Sequence, residues 1–217
     1  TIDGGVGTDV YVINPGQNSF LGGNASDTQF INFEVIRFDA AGTANLANQI
    51  ENLTVLGSAG NDTVVLGSGA YNLDGGMGDD IVGGGATVTV ADTLLGGAGV
   101  DTLNLTDDSA TTDLNNVSGF EYINIVNINA SAYTTVDGLV AAGATLTVTQ
   151  TGNQDLTFNG SAENDGAFVF STSGGADVLT GGAGNDVFDS GTGNDNLVGG
   201  AGDDEFTFNT AGDITKN

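Results

Sequence analysis

Residues 172–207 consist of four consecutive nonapeptides, TSGGADVLT, GGAGNDVFD, SGTGNDNLV and GGAGDDEFT. The sixth place of each nonapeptide is an aspartate: Asp177, Asp186, Asp195 and Asp204. The eighth place is a large apolar residue: Leu179, Phe188, Leu197 and Phe206. A carboxylate and an apolar side chain that recur together at one period predict a chain that coils and stacks on itself.

The same nonapeptide occurs upstream of this block. Complete or nearly complete copies occupy 4–12, 75–83 and 96–104, and a partial copy occupies 57–65. Weaker copies follow in frame at 13–30, which includes Asp27, and at 66–74, and after a three-residue break the period resumes at 87–95, which includes Asp92. Asn18 and Tyr71 stand where two of these weaker copies would carry aspartate. The nine-residue period is mostly lost from residue 105 to residue 171.

The composition excludes several classes of function. Among 217 residues there are 28 acidic and 2 basic side chains, which gives a net charge of −26, and there is no Cys or His. A thiol nucleophile, a zinc site built on Cys or His and a Ser-His-Asp triad are therefore excluded. The negative charge repels nucleic acid and anionic lipid, and no apolar run reaches the roughly 18 residues of a membrane span. We expect no enzymatic activity, no nucleic-acid partner and no membrane insertion by this segment.

Each nonapeptide divides into a six-residue turn and a three-residue strand. Glycine permits positive φ and close approach of neighbouring turns, so that backbone carbonyls point toward a shared centre beside the aspartate. Ca²⁺ takes six to eight oxygen ligands at about 2.3–2.6 Å in irregular geometry, whereas Mg²⁺ demands a tighter octahedron. We therefore predict several Ca²⁺ ions as cofactors. Ordinary Asp-Gly turns without metal are the alternative, but turn preference alone does not hold a nine-residue frame.

The pattern Gly-Gly-x-Gly-x-Asp-x-apolar-x resembles the calcium-binding nonapeptide repeats of RTX (repeats-in-toxin, hemolysin-type) proteins. The resemblance implies an all-β fold, a right-handed parallel β-roll or β-solenoid with two repeats per coil and calcium between turns two repeats apart. The implied aspartate pairs are Asp177 with Asp195, Asp186 with Asp204, Asp62 with Asp80, and Asp9 with Asp27. Asp101 would extend the Asp62–Asp80 stack, and Asp92 would begin the opposite edge. The implied backbone ligands are Gly182, Gly184, Gly193, Gly200 and Gly202.

The sequence also contains a duplication that is longer than the nonapeptide repeat. FEVIRF at 33–38 matches FEYINI at 120–125, and LTVLGSAGND at 53–62 matches LTFNGSAEND at 156–165. We predict two continuous solenoid modules, residues 1–86 and 87–209, and a tail at 210–217. Glu34 and Glu121, in the Phe-Glu strands, are expected at strand edges or interfaces. A short helix ended by Gly143 is predicted within residues 134–143.

The alternation of RTX turns with these strands is also similar to surface-layer and adhesin proteins of Gram-negative bacteria. That similarity implies type I secretion, folding outside the cell on contact with calcium, and assembly with other copies or other surface components. The leading hypothesis is a calcium-binding structural segment of a secreted bacterial surface protein, in a surface layer or an extracellular filament, which folds and assembles on binding calcium. The alternatives are an accessory module of a type I-secreted enzyme or toxin, and an adhesin repeat. Partner-specific function would lie chiefly in residues 105–171.

Overall fold

Short parallel strands account for most of the regular structure. The computed structural model describes residues 2–14, 30–84, 88–106, 113–126 and 129–208. The strands in chain order are β1 (Ile2–Asp3), β2 (Val10–Ile13), β3 (Phe30–Ile31), β4 (Val35–Phe38), β5 (Thr43–Asn45), β6 (Leu53–Leu56), β7 (Thr63–Val65), β8 (Tyr71–Asp74), β9 (Ile81–Gly83), β10 (Thr93–Leu95), β11 (Thr102–Thr106), β12 (Val117–Ser118), β13 (Tyr122–Val126), β14 (Ser131–Thr134), β15 (Thr145–Thr151), β16 (Leu156–Asn159), β17 (Ala167–Ser171), β18 (Val178–Thr180), β19 (Val187–Asp189), β20 (Asn196–Val198) and β21 (Glu205–Thr207).

From β4 onward the chain alternates between two sides of a coil. Odd-numbered strands from β5 to β21 form a nine-stranded sheet. Even-numbered strands form a six-stranded sheet from β2 to β12 and then a four-stranded sheet from β14 to β20, while β1 pairs with β3. Neighbouring strands in these sheets run parallel, and the chain completes about 8 turns. This architecture confirms the all-β parallel solenoid predicted from the repeats.

The core lies inside the coil because strand side chains alternate between its two faces. Along β15 every second side chain is buried, namely Leu146, Val148 and Gln150. Phenylalanines from successive coils stack on one another, with ring centroids 5.0 Å apart for Phe170 and Phe188 and 4.8 Å apart for Phe188 and Phe206. The apolar place of each repeat therefore builds a continuous core that no single coil could close alone.

Intact repeats set the register of the coils. Val187 pairs with Glu205, and Thr63 pairs with Ile81, so that two nonapeptides make one coil. Where the period is lost the coil lengthens, and Tyr122 pairs with Thr147. Strands also pair across the predicted module boundary, β8 with β10 and β9 with β11. The division into modules at residues 1–86 and 87–209 stays a prediction.

The helix predicted within residues 134–143 is wrong. β14 ends at Thr134, and tight turns follow at 137–138 and 142–143, where Gly143 has φ +72°. Leu139 and Val140 are both buried, so the segment is anchored as a turn against the core rather than wound into a helix. A 3-10 helix spans Asp113–Asn116.

No helix within the described residues is long and apolar enough to cross a membrane.

Candidate metal centre

The repeat aspartates lie at the edges of the sheets, each directly before a strand. Asp62, Asp80, Asp101, Asp186 and Asp204 precede strands of the nine-stranded sheet. Asp9, Asp92, Asp177 and Asp195 precede strands of the six- and four-stranded sheets. Because the strands are parallel and in register, aspartates on one edge line up along the solenoid, coil above coil.

A ladder of hydrogen bonds joins the aligned aspartates. The backbone N–H of Asp62 donates to Asp80 Oδ1, and that of Asp80 donates to Asp101 Oδ1, each at 2.7 Å. The final block has the same arrangement. The N–H of Asp177 donates to Asp195 Oδ1 at 2.9 Å, and that of Asp186 donates to Asp204 Oδ1 at 3.0 Å. The structure thus brings together three of the four aspartate pairs implied by the resemblance, and it places Asp101 next to Asp80 in the first stack, as predicted.

At the remaining two predicted positions the described residues include no aspartate partner. Asp27, the implied partner of Asp9, lies outside the described residues, and the residue in register with Asp9 is Glu34, since Val10 pairs with Val35. Asp92 Oδ1 accepts from the N–H of Tyr71, and its Oδ2 accepts from the N–H and hydroxyl of Thr89. The Asp92 carboxylate therefore caps its own turn. The residue in register with it in the preceding coil is Tyr71 rather than an aspartate.

Tyr71 fills the turn in which it replaces aspartate. It is 2% exposed, and its hydroxyl accepts a hydrogen bond from the Gly67 N–H at 3.0 Å. Burial raises the pKa of the Tyr71 hydroxyl to about 12, so it stays neutral. A neutral phenol in place of a carboxylate makes this turn unsuited to a cation.

Several repeat aspartates have a buried carboxylate oxygen without a donor in the described part of the chain, and Asp80 and Asp101 are the most completely buried pair in one stack. Asp80 is 2% exposed and Asp101 is 0% exposed, and the Oδ2 atom of each has no hydrogen-bond partner among the described residues. In contrast, Asp62 Oδ2 accepts from the Ser58 N–H, and Asp186 Oδ2 accepts from the Gly182 N–H. A buried anionic oxygen without a partner is costly. Bound Ca²⁺ would remove that cost.

Carbonyl oxygens converge on the same places as the carboxylates. A Cβ at Gly75 would lie 2.5 Å from Asp80 Oδ2 and would overlap the carbonyl oxygen of Gly96 in the next coil. A Cβ at Gly181 would likewise overlap Asp186 Oδ2 and the carbonyl of Gly199. At the first place of these turns, carboxylate and carbonyl oxygens thus occupy the space that a Cβ would need, and only glycine fits. Hard oxygen ligands of this kind fit Ca²⁺.

The other predicted glycines hold the turns of successive coils close together. A Cβ at Gly200 would overlap the Gly182 carbonyl, and a Cβ at Gly202 would overlap the Gly184 carbonyl. Gly193 similarly faces the carbonyl of Gly175. The φ values are +155° at Gly193, +110° at Gly200 and +113° at Gly202, which glycine adopts without strain. The Gly182 carbonyl also accepts a hydrogen bond from the Ala201 N–H at 3.0 Å.

The electrostatics of the turns disfavour free carboxylates. Burial is the largest cause that raises the pKa of Asp80 to about 6, and the neighbouring Asp101, Asp62 and Asp79 raise it further. Burial also raises the pKa of Asp177 to about 6, although the Thr172 hydroxyl beside it acts in the opposite direction. The same cause raises the pKa of Asp101 and Asp186. Arg37, the one basic residue in the described part of the chain, pairs instead with Asp39 at 3.0 Å.

Sequence reasoning missed one further acidic group. One oxygen from each of Asp137, Glu163 and Asp165 lies within 4.8 Å of the others. Glu163 is 1% exposed, and its carboxylate accepts from the N–H groups of Val140, Asp165 and Gly166. These backbone donors explain why Glu163 is buried. Its position in LTFNGSAEND, where the matching segment has glycine, is the only sequence signal.

A stack of parallel coils whose glycine turns carry aligned aspartates defines a calcium-binding repeat solenoid. The family model for the RTX calcium-binding nonapeptide repeat matches in 4 copies, over residues 56–86, 91–109 and 171–206. The chain therefore contains RTX calcium-binding repeats and is a calcium-binding repeat module. A search of curated proteins and a search of solved structures each gave no significant match.

The oxygen pocket at the first turn place gives a steric prediction. Gly75→Ala should weaken calcium binding and destabilise the fold, because its Cβ would collide with Asp80 Oδ2 and the Gly96 carbonyl. Gly138→Ala is the matched control, since a Cβ there would meet nothing within 4 Å. Calcium titrations followed by far-ultraviolet circular dichroism check both variants. Equal midpoints for the two would contradict the pocket.

The raised pKa values give a prediction about pH. The calcium-free fold binds protons at Asp80 and Asp177 more tightly than the unfolded chain does, since their pKa rises from 3.8 to about 6. This stabilisation is fully present below pH 3.8 and is lost as pH rises through about 6. Protons and Ca²⁺ compete for these oxygens, so calcium affinity should fall as pH drops from about 7 to about 5.

Isothermal titration calorimetry across this range measures the effect. The double variant D80N/D177N should show weaker binding with a shallower dependence on pH. A wild-type affinity that stays constant across the range would contradict the assignment of these carboxylates as ligands.

Proposed function

We propose that the chain is a calcium-binding structural segment of a secreted protein at the bacterial cell surface, which folds and assembles when it binds several Ca²⁺ ions. The observation that carries the proposal is the pair of buried, donor-free oxygens at Asp80 and Asp101. The ligands of such a site come together only in the folded chain. Calcium therefore stabilises the fold by mass action, and its removal favours unfolding.

The location of the buried acidic residues agrees with a structural role. Most of the strongly buried acidic residues stand in turns that contain glycine, and the interior between the sheets is filled mainly by aliphatic and aromatic side chains. With no Cys or His in the sequence, the carboxylates are better suited to binding cations than to nucleophilic chemistry. Extracellular millimolar calcium would saturate such sites, whereas the low calcium of the cytoplasm would leave the chain unfolded for secretion.

Circular dichroism with a matched pair of variants tests the calcium dependence. The wild-type chain should be largely disordered with a chelator and rich in β structure in millimolar calcium. Asp186→Asn removes the charge of a buried turn carboxylate and should raise the calcium midpoint by about tenfold or more. Asp203→Asn removes the charge of an exposed aspartate that directly precedes Asp204 in the sequence, and it should leave the calcium midpoint unchanged. A wild-type spectrum that calcium does not alter would refute the proposal.

The proposed assembly into surface structures requires a separate test. Electron microscopy and sedimentation of the native protein should show calcium-dependent sheets or filaments. A monomer at every calcium concentration would favour the alternatives, an accessory module of a secreted enzyme or toxin, or an adhesin repeat. Glycan or cell binding by the isolated segment would then support the adhesin.

A further inference from the structure

The duplicated Phe-Glu segments have a role that the nonapeptide pattern does not reveal. The sequence pattern predicts Glu34 and Glu121 within strands, but β4 begins at Val35 and β13 begins at Tyr122. Each glutamate therefore directly precedes a strand, as a repeat aspartate does. Thr102 pairs with Tyr122, so Glu121 is in register with Asp101, and Glu34 is likewise in register with Asp9.

The glutamates also make the hydrogen bond of the missing aspartate. The backbone N–H of Asp101 donates to Glu121 Oε2 at 2.7 Å, and the N–H of Asp9 donates to Glu34 Oε2 at 2.8 Å. The Asp80 N–H makes the same bond to Asp101 Oδ1 at 2.7 Å. The carboxylate ladder of the nine-stranded sheet thus continues from Asp101 to Glu121, beyond the last nonapeptide turn of that stack.

A three-residue corner replaces the six-residue turn at both places. Gly119-Phe120-Glu121 joins β12 to β13, and Asn32-Phe33-Glu34 joins β3 to β4. The first corner residue has positive φ, +71° at Gly119 and +58° at Asn32. We define these two segments as the Phe-Glu corners. Glutamate is one methylene longer than aspartate, so its carboxylate reaches the turn edge from a shorter connection.

The first residue of each Phe-Glu corner continues the column of carbonyl oxygens. A Cβ at Gly96 would overlap the carbonyl oxygen of Gly119 and lie 2.8 Å from Asp101 Cβ. At the other corner, a Cβ at Gly4 would overlap the carbonyl of Asn32 and lie 2.8 Å from Asp9 Cβ. The same relation joins Gly75 to the Gly96 carbonyl between two ordinary repeats. Carbonyl and carboxylate oxygens therefore converge at the corners as they do within the stacks.

An independent observation at the same place points to a cation. Asp101 is 0% exposed, and its Oδ2 has no hydrogen-bond partner within the described ranges. The Asp9 Oδ2 atom is also buried, and no described residue donates to it. Glu121 adds a second negative charge beside Asp101. Phe120, 4% exposed, packs into the core and closes the inner side of this corner.

We propose that each Phe-Glu corner supplies the last ligands of a calcium stack. One Ca²⁺ binds between the Asp101 and Glu121 carboxylates with the Gly119 carbonyl, and another binds between the Asp9 and Glu34 carboxylates with the Asn32 carbonyl. This inference rests on the calcium-binding function proposed above. A metal site would then lie at the end of each stack, where the chain departs from the nonapeptide repeat. Glu34 and Glu121 would be metal ligands outside the repeat motif.

The competing explanation is that each glutamate only caps a backbone N–H. A cap requires one acceptor oxygen and no charge, whereas a calcium ligand requires the carboxylate. Glu121→Gln keeps an acceptor oxygen for the Asp101 N–H and removes the charge. It therefore separates the two explanations with little disturbance of the corner.

The experiment counts bound calcium per chain by equilibrium dialysis at saturating calcium, with circular dichroism to verify folding. E121Q and E34Q should each bind one ion fewer than wild type, and the double variant should bind two fewer. E205Q removes the same charge at an exposed position after a repeat aspartate and should bind the wild-type number. An E121Q variant that binds the wild-type number with unchanged affinities would overturn the inference and leave the proposed function intact.

Failure of the proposed function looks different, because the wild-type chain would then bind no calcium at all. If E121Q did not fold, anomalous scattering from calcium in crystals of the wild-type chain would decide. A peak is expected at about 2.3–2.6 Å from the carboxylate oxygens of Asp101 and Glu121. Peaks within the repeat stacks but none at the Phe-Glu corners would also overturn the inference.

Discussion

The confinement of carboxylates at the sheet edges, without basic residues to neutralise them, is the constraint on which the rest of this structure depends. The chain carries 28 acidic and 2 basic residues, and the parallel coils place successive aspartates directly above one another. Hydrogen bonds from backbone N–H groups satisfy at least one oxygen of each ladder aspartate. They do not cancel the charge, and at Asp80 and Asp101 they leave the other oxygen buried without a donor. A divalent cation bound between turns would supply the positive charge that the protein itself lacks there.

The glycines and the apolar residues follow from the same constraint. Turns must stack at the spacing of parallel strands for their oxygens to converge, and a side chain at Gly75 or Gly181 would occupy the space of those oxygens. The inward side chains of the strands, such as Phe188 and Leu179, are buried in the core of the coil. Core packing thus favours the coiled chain and electrostatic repulsion opposes it, and under the proposed function bound calcium would shift the balance toward folding.

The sequence predicted the parts of this arrangement that the period of nine determines. In residues 172–207 the frame is unbroken, so the register of Asp177 with Asp195 and of Asp186 with Asp204 follows from counting residues. Glu34 and Glu121 could not be found in this way, because a three-residue corner removes the frame and only strand pairing reveals their equivalence to aspartate. The helix predicted within residues 134–143 does not form, because burial of Leu139 and Val140 against the core outweighs local propensity.

The dependence of stability on calcium tests the account most directly. The free energy of unfolding, measured by urea denaturation at a series of free calcium concentrations, rises by about 1.4 kcal/mol per tenfold increase for each ion bound only by the folded chain. Several aligned turns predict a slope of several times that value once the sites begin to fill. A free energy of unfolding that does not change with calcium would contradict the claim that the metal holds this solenoid together.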